Sequence, residues 1–475
     1  MAKAPVILWL RRDFRLHDHE ALHAALDEGG PVIPVFIHDE LCEALGAAPR
    51  WRMGEAVAAF AARLEEMGSR LVLRRGSARA VLEALVAETG ACAVHWSRAY
   101  DPAAIKRDRE VKAALKEAGV NAQSHKGHLL FEPWDVQTKQ GGPYKVYTPY
   151  WNAVRGRQLA APLATVGDIP SPETWPDTEA LGDWEMGADM NRGADVVALH
   201  ATVGERAAQG RMAAFLGDKI AEYQEARNLP AETGTSNLSE NLSYGEISPR
   251  ALWHAGWRRI EEGASGAQTW VKELVWREFA AHLLYHYPQM DERNWREEWN
   301  GFDWRRDNND AAAWRKGRTG EPFVDAAMRE LYVTGRMHNR ARMIVASYLT
   351  KHLLTDWRVG LRWFEECLID WDPASNALGW QWVAGSGPDA TPYFRIFNPA
   401  TQADKFDPEG DYRKAWLAEG QAHPTKTALS FFDAIPRSWE MSAEDDPPER
   451  LIGLKEGREK ALAAYDALKQ GRKDG

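Results

Sequence analysis

The chain has 475 residues, 44% of them hydrophobic, and a formal net charge of −10 at pH 7. That length exceeds one compact core and implies two or three domains. The acidic balance excludes a protein that coats nucleic acid nonspecifically, although a local basic surface could still meet phosphates. The longest apolar runs, such as Val6 to Leu10 and Val32 to Ile37, are strand-sized, so no membrane span is expected.

The first ~130 residues alternate strand and helix patterns. Strands are expected at Val6 to Leu10, Val32 to Ile37, Arg70 to Arg74 and Ala93 to Trp96. Helices are expected at Glu20 to Leu26, Gly54 to Met67, Ala78 to Thr89 and Ala103 to Ala118. Such alternation predicts an α/β domain built on a doubly wound parallel sheet, with any ligand at the carboxyl ends of its strands. No GxGxxG follows the first strand, where the chain reads Arg11-Arg12-Asp13-Phe14-Arg15, so an ordinary dinucleotide site is not expected there.

From about Leu129 to Leu199 the periodicity fades among Pro, Gly and Asp, as in a long surface connection. Beyond Ala207 the pattern is all-α. Amphipathic segments are expected at Arg211 to Arg227, Pro249 to Glu262, Thr269 to Tyr287, Pro322 to Thr334, His338 to Thr350 and Arg358 to Leu368. The domain boundaries expected are 1–130, a linker over 131–205, and a helical domain over 206–475.

Most of the 22 tryptophans lie in the second half of the chain. They suit either a tryptophan-packed core or stacking on planar groups and bases. Arg and Lys are frequent between Arg293 and Arg362. The three cysteines, Cys42, Cys92 and Cys367, fit reduced thiols of a cytoplasmic protein. No metal site is expected, because no His or Cys accompanies the aspartates near residue 370.

Four segments could carry chemistry. Thr235-Ser236-Asn237-Leu238-Ser239 precedes a helix and offers either a phosphate cradle or a simple N-cap. On the helix from Trp270, the residues Trp270, Glu273, Trp276 and Arg277 combine indole, carboxylate and guanidinium on neighbouring turns. They suit a pocket floor, or an i,i+4 Glu273–Arg277 pair beside core indoles. His338-Asn339-Arg340-Ala341-Arg342-Met343 sets Asn339 and Met343 one turn apart among arginines, for reading a base edge or as a solvated basic helix. In Asp370-Trp371-Asp372…Asn376…Gly379-Trp380-Gln381-Trp382, the two last indoles diverge, which suits one facing a cofactor and the other a substrate, or two buried indoles behind a capped helix start.

Together these segments resemble the photolyase/cryptochrome family over nearly the whole chain. The resemblance implies a Rossmann-like antenna domain, a linker and a helical FAD-binding domain. FAD would be held by Tyr223, Thr235, Ser236, Asn237, Leu238, Ser239, Trp270, Arg277, Arg342, Asp370, Trp371 and Asp372, with Asn376 facing flavin N5. Trp380, Trp357 and Trp304 would form the electron-transfer chain. Arg227, Glu273, Trp276, Asn339, Met343, Trp382, Arg395 and Gln402 would meet flipped-out UV-damaged DNA, with Arg342 and Lys405 as further phosphate contacts. Asn376 and Met343 match enzymes for cyclobutane pyrimidine dimers. Asp or Cys at the first position would match cryptochrome sensors, and histidines around the second would match (6-4) photoproduct enzymes. The antenna differs: Ala104 stands where folate-binding relatives carry Glu. A deazaflavin, FMN, a differently held folate or no antenna all remain, with the crevice near Arg11, Phe36, His38, Asp39 and Arg52 as the place expected. The resemblance also implies a monomer without an obligatory protein partner.

Overall fold

The computed structural model describes residues 3–389 and 395–471. Five parallel strands form one sheet: β1 (Val6–Leu10), β2 (Val32–His38), β3 (Val72–Arg75), β4 (Ala93–Ser97) and β5 (Asn121–His125), in the order β3-β2-β1-β4-β5. β1, β2 and β4 are buried at every residue, as the middle strands of a sheet covered on both faces must be. β5 was not expected. It reads Asn-Ala-Gln-Ser-His, and only the edge position of the sheet accounts for so polar a strand. The connection from β1 runs toward β2 and that from β4 toward β5, so the switch point of the sheet lies between β1 and β4.

The segment after β5 is irregular but anchored. Val166, Ile169, Trp184 and Met186 join the core on one face of the sheet. Its first part forms the Tyr147–Val154 helix, which packs on the helical domain through Tyr150 and Trp151.

The rest of the described chain is helical, around the 20-residue Ala267–His286 helix. Trp253, Trp270, Trp314, Trp357 and Trp380 are all in its core, whereas Trp276, Trp304, Trp371 and Trp382 are only partly buried at its margin. Indoles thus both fill the core and stand at its margin. The single helix expected from Arg211 to Arg227 is broken into Glu205–Asp218, a short Ile220–Glu222 turn and Tyr223–Ala226. The break lets Gly266 approach closely: a Cβ there would lie 2.1 Å from the Ile220 carbonyl.

Candidate functional site

Glu273 and Trp276 are adjacent on one surface of the Ala267–His286 helix. The Glu273–Arg277 pair that the spacing permits does not form. Glu273 accepts instead from Arg227, on the other side of the pocket rim. Arg277 donates to the His128 carbonyl at 2.9 Å, to His128 Nε2 at 3.0 Å and to Glu278 at 3.2 Å. Burial, followed by the Arg277 charge, holds His128 well below the ordinary imidazole pKa, so its ring accepts. Arg227 therefore belongs with Glu273 as well as facing outward, and Arg277 ties the 127–131 segment down.

The Trp276 indole is stacked face to face on Tyr147, with centroids 3.7 Å apart and planes 4° apart. Trp382 lies beside Phe397 at 6.4 Å. Asn339 begins the Asn339–Ser347 helix and is exposed, with Met343 one turn later. His338 caps that helix through Nδ1, which accepts from Arg340 N at 3.1 Å, and burial holds its pKa down to about 4. Arg340, missed among the candidates, contacts Met343 Sδ at 3.9 Å and lies 4.3 Å over the Phe406 ring. Its pKa is lowered by burial and then by the Arg227 and Arg395 charges. Arg395 and Lys405 are exposed, and Gln402 is partly buried on the Pro399–Phe406 helix beside Lys405.

A second group of residues gathers around Asp370. Its carboxylate accepts from Ser239 Oγ at 2.8 Å and from Arg342 at 2.8 Å. Arg342 also donates to the Met337 carbonyl, so it is committed to this cluster rather than to the group of Arg227, Arg340 and Arg395. The Thr235–Ser239 stretch does not work as an N-cap: Leu238 occupies that position with no side-chain bond. Ser236 Oγ accepts from Trp270 Nε1 at 3.3 Å, and Thr235 Oγ1 bonds Asn237 Oδ1 at 3.0 Å, with Asn237 at a positive φ of 51°. Tyr223 packs edge-on to Phe215 under the Arg227 guanidinium. Asp372 caps the Pro373–Ala384 helix, accepting from Ser375 N at 2.7 Å. Asn376 donates to the Leu361 carbonyl at 3.1 Å, and its oxygen accepts from none of the described donors. Trp371, expected among the residues that hold FAD, lies under Arg12 at 5.6 Å and so bridges the two domains.

The three expected relay tryptophans converge on the Trp357–Cys367 helix. Trp380 crosses that helix at Gly360, where a Cβ would stand 2.0 Å from the ring. Only glycine permits that contact, one turn from Trp357. Trp357 is fully buried and donates to Asn294 at 2.8 Å. Trp304 precedes Arg305, whose backbone bonds Leu354 O and Asp356 N at the start of the same helix. Trp304 packs on Phe302 at 4.3 Å, toward the outside.

Two family models match in sequence order, DNA photolyase over residues 6–171 and the FAD binding domain of DNA photolyase over residues 270–467. A deoxyribodipyrimidine photo-lyase of Agrobacterium fabrum is 44% identical over 472 residues, covering 98% of each chain. The chain belongs to the photolyase/cryptochrome family. A bacterial class III photolyase from Agrobacterium tumefaciens superposes with a TM-score of 0.91 at 42% identity, covering 99% of this chain and 98% of that one. A cryptochrome of Synechocystis superposes at 0.84 with 27% identity, covering 98% and 99%.

The family implies FAD, and the residues fit it. The Nε1 groups of Trp371 and Trp380 are buried without a hydrogen-bond partner among the described residues, and the oxygen of the half-buried Asn376 accepts from none of the described donors. Unmet polar groups cost free energy when buried, so this cluster suits a planar group rich in heteroatoms. The crevice expected for an antenna is different. Arg11 is paired with Asp108 at 2.6 Å, Asp39 with Arg107 at 2.6 Å, and Phe36 is packed on Phe14 and Trp184. His38 sits against Trp184, and Arg52 is wholly buried between Glu240 and Glu246. Of these groups only Arg52 reaches across to the helical domain; the others pair within the α/β domain or with Trp184 of the segment that follows it. Among the described residues no cluster could hold a metal ion, and no helix is long and apolar enough to cross a membrane.

Proposed function

We propose that the chain is a light-dependent lyase, a deoxyribodipyrimidine photo-lyase that repairs cyclobutane pyrimidine dimers in DNA with bound FAD. The observation that carries this reading is the pair of Glu273 and Trp276, one turn apart on one helix, with Arg227 bonded to Glu273 and with the Arg227 and Arg395 charges acting on Arg340. A full-length relative of the same named activity supports it.

FAD, when bound and reduced, supplies under blue light the electron that opens the cyclobutane ring. The protein does the rest. The guanidinium groups of Arg227, Arg340 and Arg395 attract the phosphates on either side of the lesion. A damaged, poorly stacked pair is cheaper to extrude than a normal one. Trp276 and Trp382 flank the extruded pair and exclude water, Glu273 accepts from its N–H edge, and Asn339, Met343 and Gln402 complete the wall. Tyr223, Ser236, Ser239, Trp270, Arg342, Asp370 and Asn376 hold the cofactor. Trp380, Trp357 and Trp304 link its pocket to the surface for electron supply. The enzyme works as a cytoplasmic monomer on the nucleoid, without an obligatory protein partner, and the nature of any second antenna chromophore stays open among a deazaflavin, FMN and folate.

The test is dimer content in a thymine-dimer oligonucleotide incubated with the purified protein. Dimers are expected to disappear under near-UV or blue light and to persist in darkness. Equal dimer content in lit and dark samples overturns the reading.

A further inference from the structure

Tyr147 belongs to the segment between the domains, yet it contacts both the helix that carries Trp276 and the loop after the helix that carries Trp382. Its ring lies 3.7 Å from the Trp276 indole and parallel to it within 4°. Its hydroxyl donates to the Lys272 carbonyl at 2.7 Å, on the turn that also carries Glu273. Its backbone N–H reaches Asp389 Oδ2 at 3.4 Å, in the loop that follows Trp382. The ring is also edge-on to Phe279, at 5.9 Å and 73°, and the residue is 7% exposed. Burial and then Glu273 raise the phenol pKa above its ordinary value, so the hydroxyl stays a neutral donor.

Face-to-face contact at this distance is close for a pair of protein rings, which favour offset or tilted arrangements. It is held here by three tethers: the Lys272 bond, the Asp389 bond and the Phe279 edge. The result is that one face of Trp276 is already covered from the protein side. Among the described residues the other face meets no ring. An indole free to rotate would lose side-chain entropy on trapping a base pair, whereas a backed indole has lost it in advance.

We propose that Tyr147 is a positioning residue for lesion recognition: it clamps the Trp276 plane and ties it to the Trp382 loop, so that the slot between the two indoles has a fixed width. Stacking is restricted to the open face of Trp276. A flipped cyclobutane dimer, two pyrimidines held at a fixed angle, fits such a slot, and a single normal base does not fill it. This rests on the reading of Trp276 and Trp382 as the flanks of the extruded dimer.

The experiment uses FAD-loaded protein in the dark at fixed salt. Dissociation constants are measured for a duplex carrying one thymine dimer and for the same duplex undamaged. Tyr147→Phe keeps the stack and is expected to stay within threefold of the unaltered protein. Tyr147→Leu and Tyr147→Met remove the planar face, methionine filling the gap with a flexible chain. Each is expected to weaken binding of the damaged duplex about tenfold, equivalent to about 1.4 kcal/mol, with the undamaged duplex unaffected and the FAD content retained. An unchanged damaged-to-undamaged ratio in whichever of the two folds overturns the proposal. So does an equal loss for both duplexes, which would mark a purely structural residue. Trp276→Ala separates the two levels: if it alone loses selectivity, only the role of Tyr147 falls, and if it keeps selectivity the reading of the slot falls with it.

Discussion

Single residues set the electrostatics of the pocket, and Glu278 is the one whose effect can be read against pH. It is 1% exposed and accepts from Leu130 N and Phe131 N at 2.7 and 3.2 Å. Burial pushes its carboxyl up to about 7, against the opposing pull of Arg277 and the two N–H groups. The folded pKa lies above the unfolded value of about 4.3. The associated stability is therefore complete below about pH 4 and is lost as pH rises through about 7. Glu278→Gln keeps a carbonyl acceptor for both N–H groups and removes the titration. Relative to that variant, the unaltered protein should lose on the order of 3 kcal/mol between about pH 4 and pH 8, measured by urea unfolding across that range; parallel curves would refute the assignment. Trp380 supplies a second test. Its ring rests on Gly360 beside Trp357, so Trp380→Phe should abolish photoreduction of oxidised FAD, followed by absorption in the presence of a thiol. Dimer repair by the chemically pre-reduced variant should persist. Normal photoreduction would remove Trp380 from the relay.

Helices and strands carry these residues, and their ends decide much of the geometry. Asp372 accepts from Ser375 N and precedes Pro373 at the first helical position, a strong start signal. Asp372→Ala should destabilise the protein by about 1 kcal/mol, whereas Asp372→Asn, also a good cap, should restore stability. Both should bind less FAD if the carboxylate contacts it, so thermal melting and FAD content measured together divide the two duties. Where the signals are local like this one, the sequence was legible. The 3.6-residue pattern from Thr269 gave the central helix, and alternating strand and helix patterns gave four of the five strands. Where the deciding partner is distant, it was not. Nothing near Glu273 announces Arg227, 46 residues earlier, and nothing near Glu278 announces Leu130. Tyr147 looked like part of a connection because the helix that holds it is short and its partner is Trp276. The polar β5 carried no apolar alternation, since its position at the sheet edge leaves one side open. The proposed relay tryptophans stand out only through resemblance, because an indole packed in a core looks like any core residue.

At the scale of the whole molecule, the two domains are joined by charge as well as by packing. The Ala47–Glu65 helix of the α/β domain inserts Arg52, fully buried, between Glu240 and Glu246 of the helical domain, with both contacts at 2.6 Å. Glu240 also accepts from Arg336, and Glu246 from Asn241 at 2.6 Å. The start of the same helix abuts the Trp357–Cys367 helix: Ala47 N donates to Glu366 at 3.3 Å, and a Cβ on Gly46 would lie 2.2 Å from the Glu365 carbonyl. Glu240 directly follows Ser239, which bonds Asp370, so the interdomain joint and the proposed cofactor site share one short helix. Removing Arg52 leaves two buried carboxylates facing each other with less positive charge between them. A broken buried pair costs roughly 3–5 kcal/mol, chiefly from the uncompensated charge left behind. Arg52→Ala should therefore lower the unfolding free energy measured in urea by an amount on that scale. Because each domain retains a core of its own, the single transition expected of the unaltered protein should divide into two, read by tryptophan fluorescence for the helical half and by protection of sheet amides for the other. Adding Glu240→Gln and Glu246→Gln to Arg52→Met removes the stranded charges and should recover part of the loss. An Arg52→Ala variant that unfolds at the same midpoint in one step would show that packing alone couples the domains.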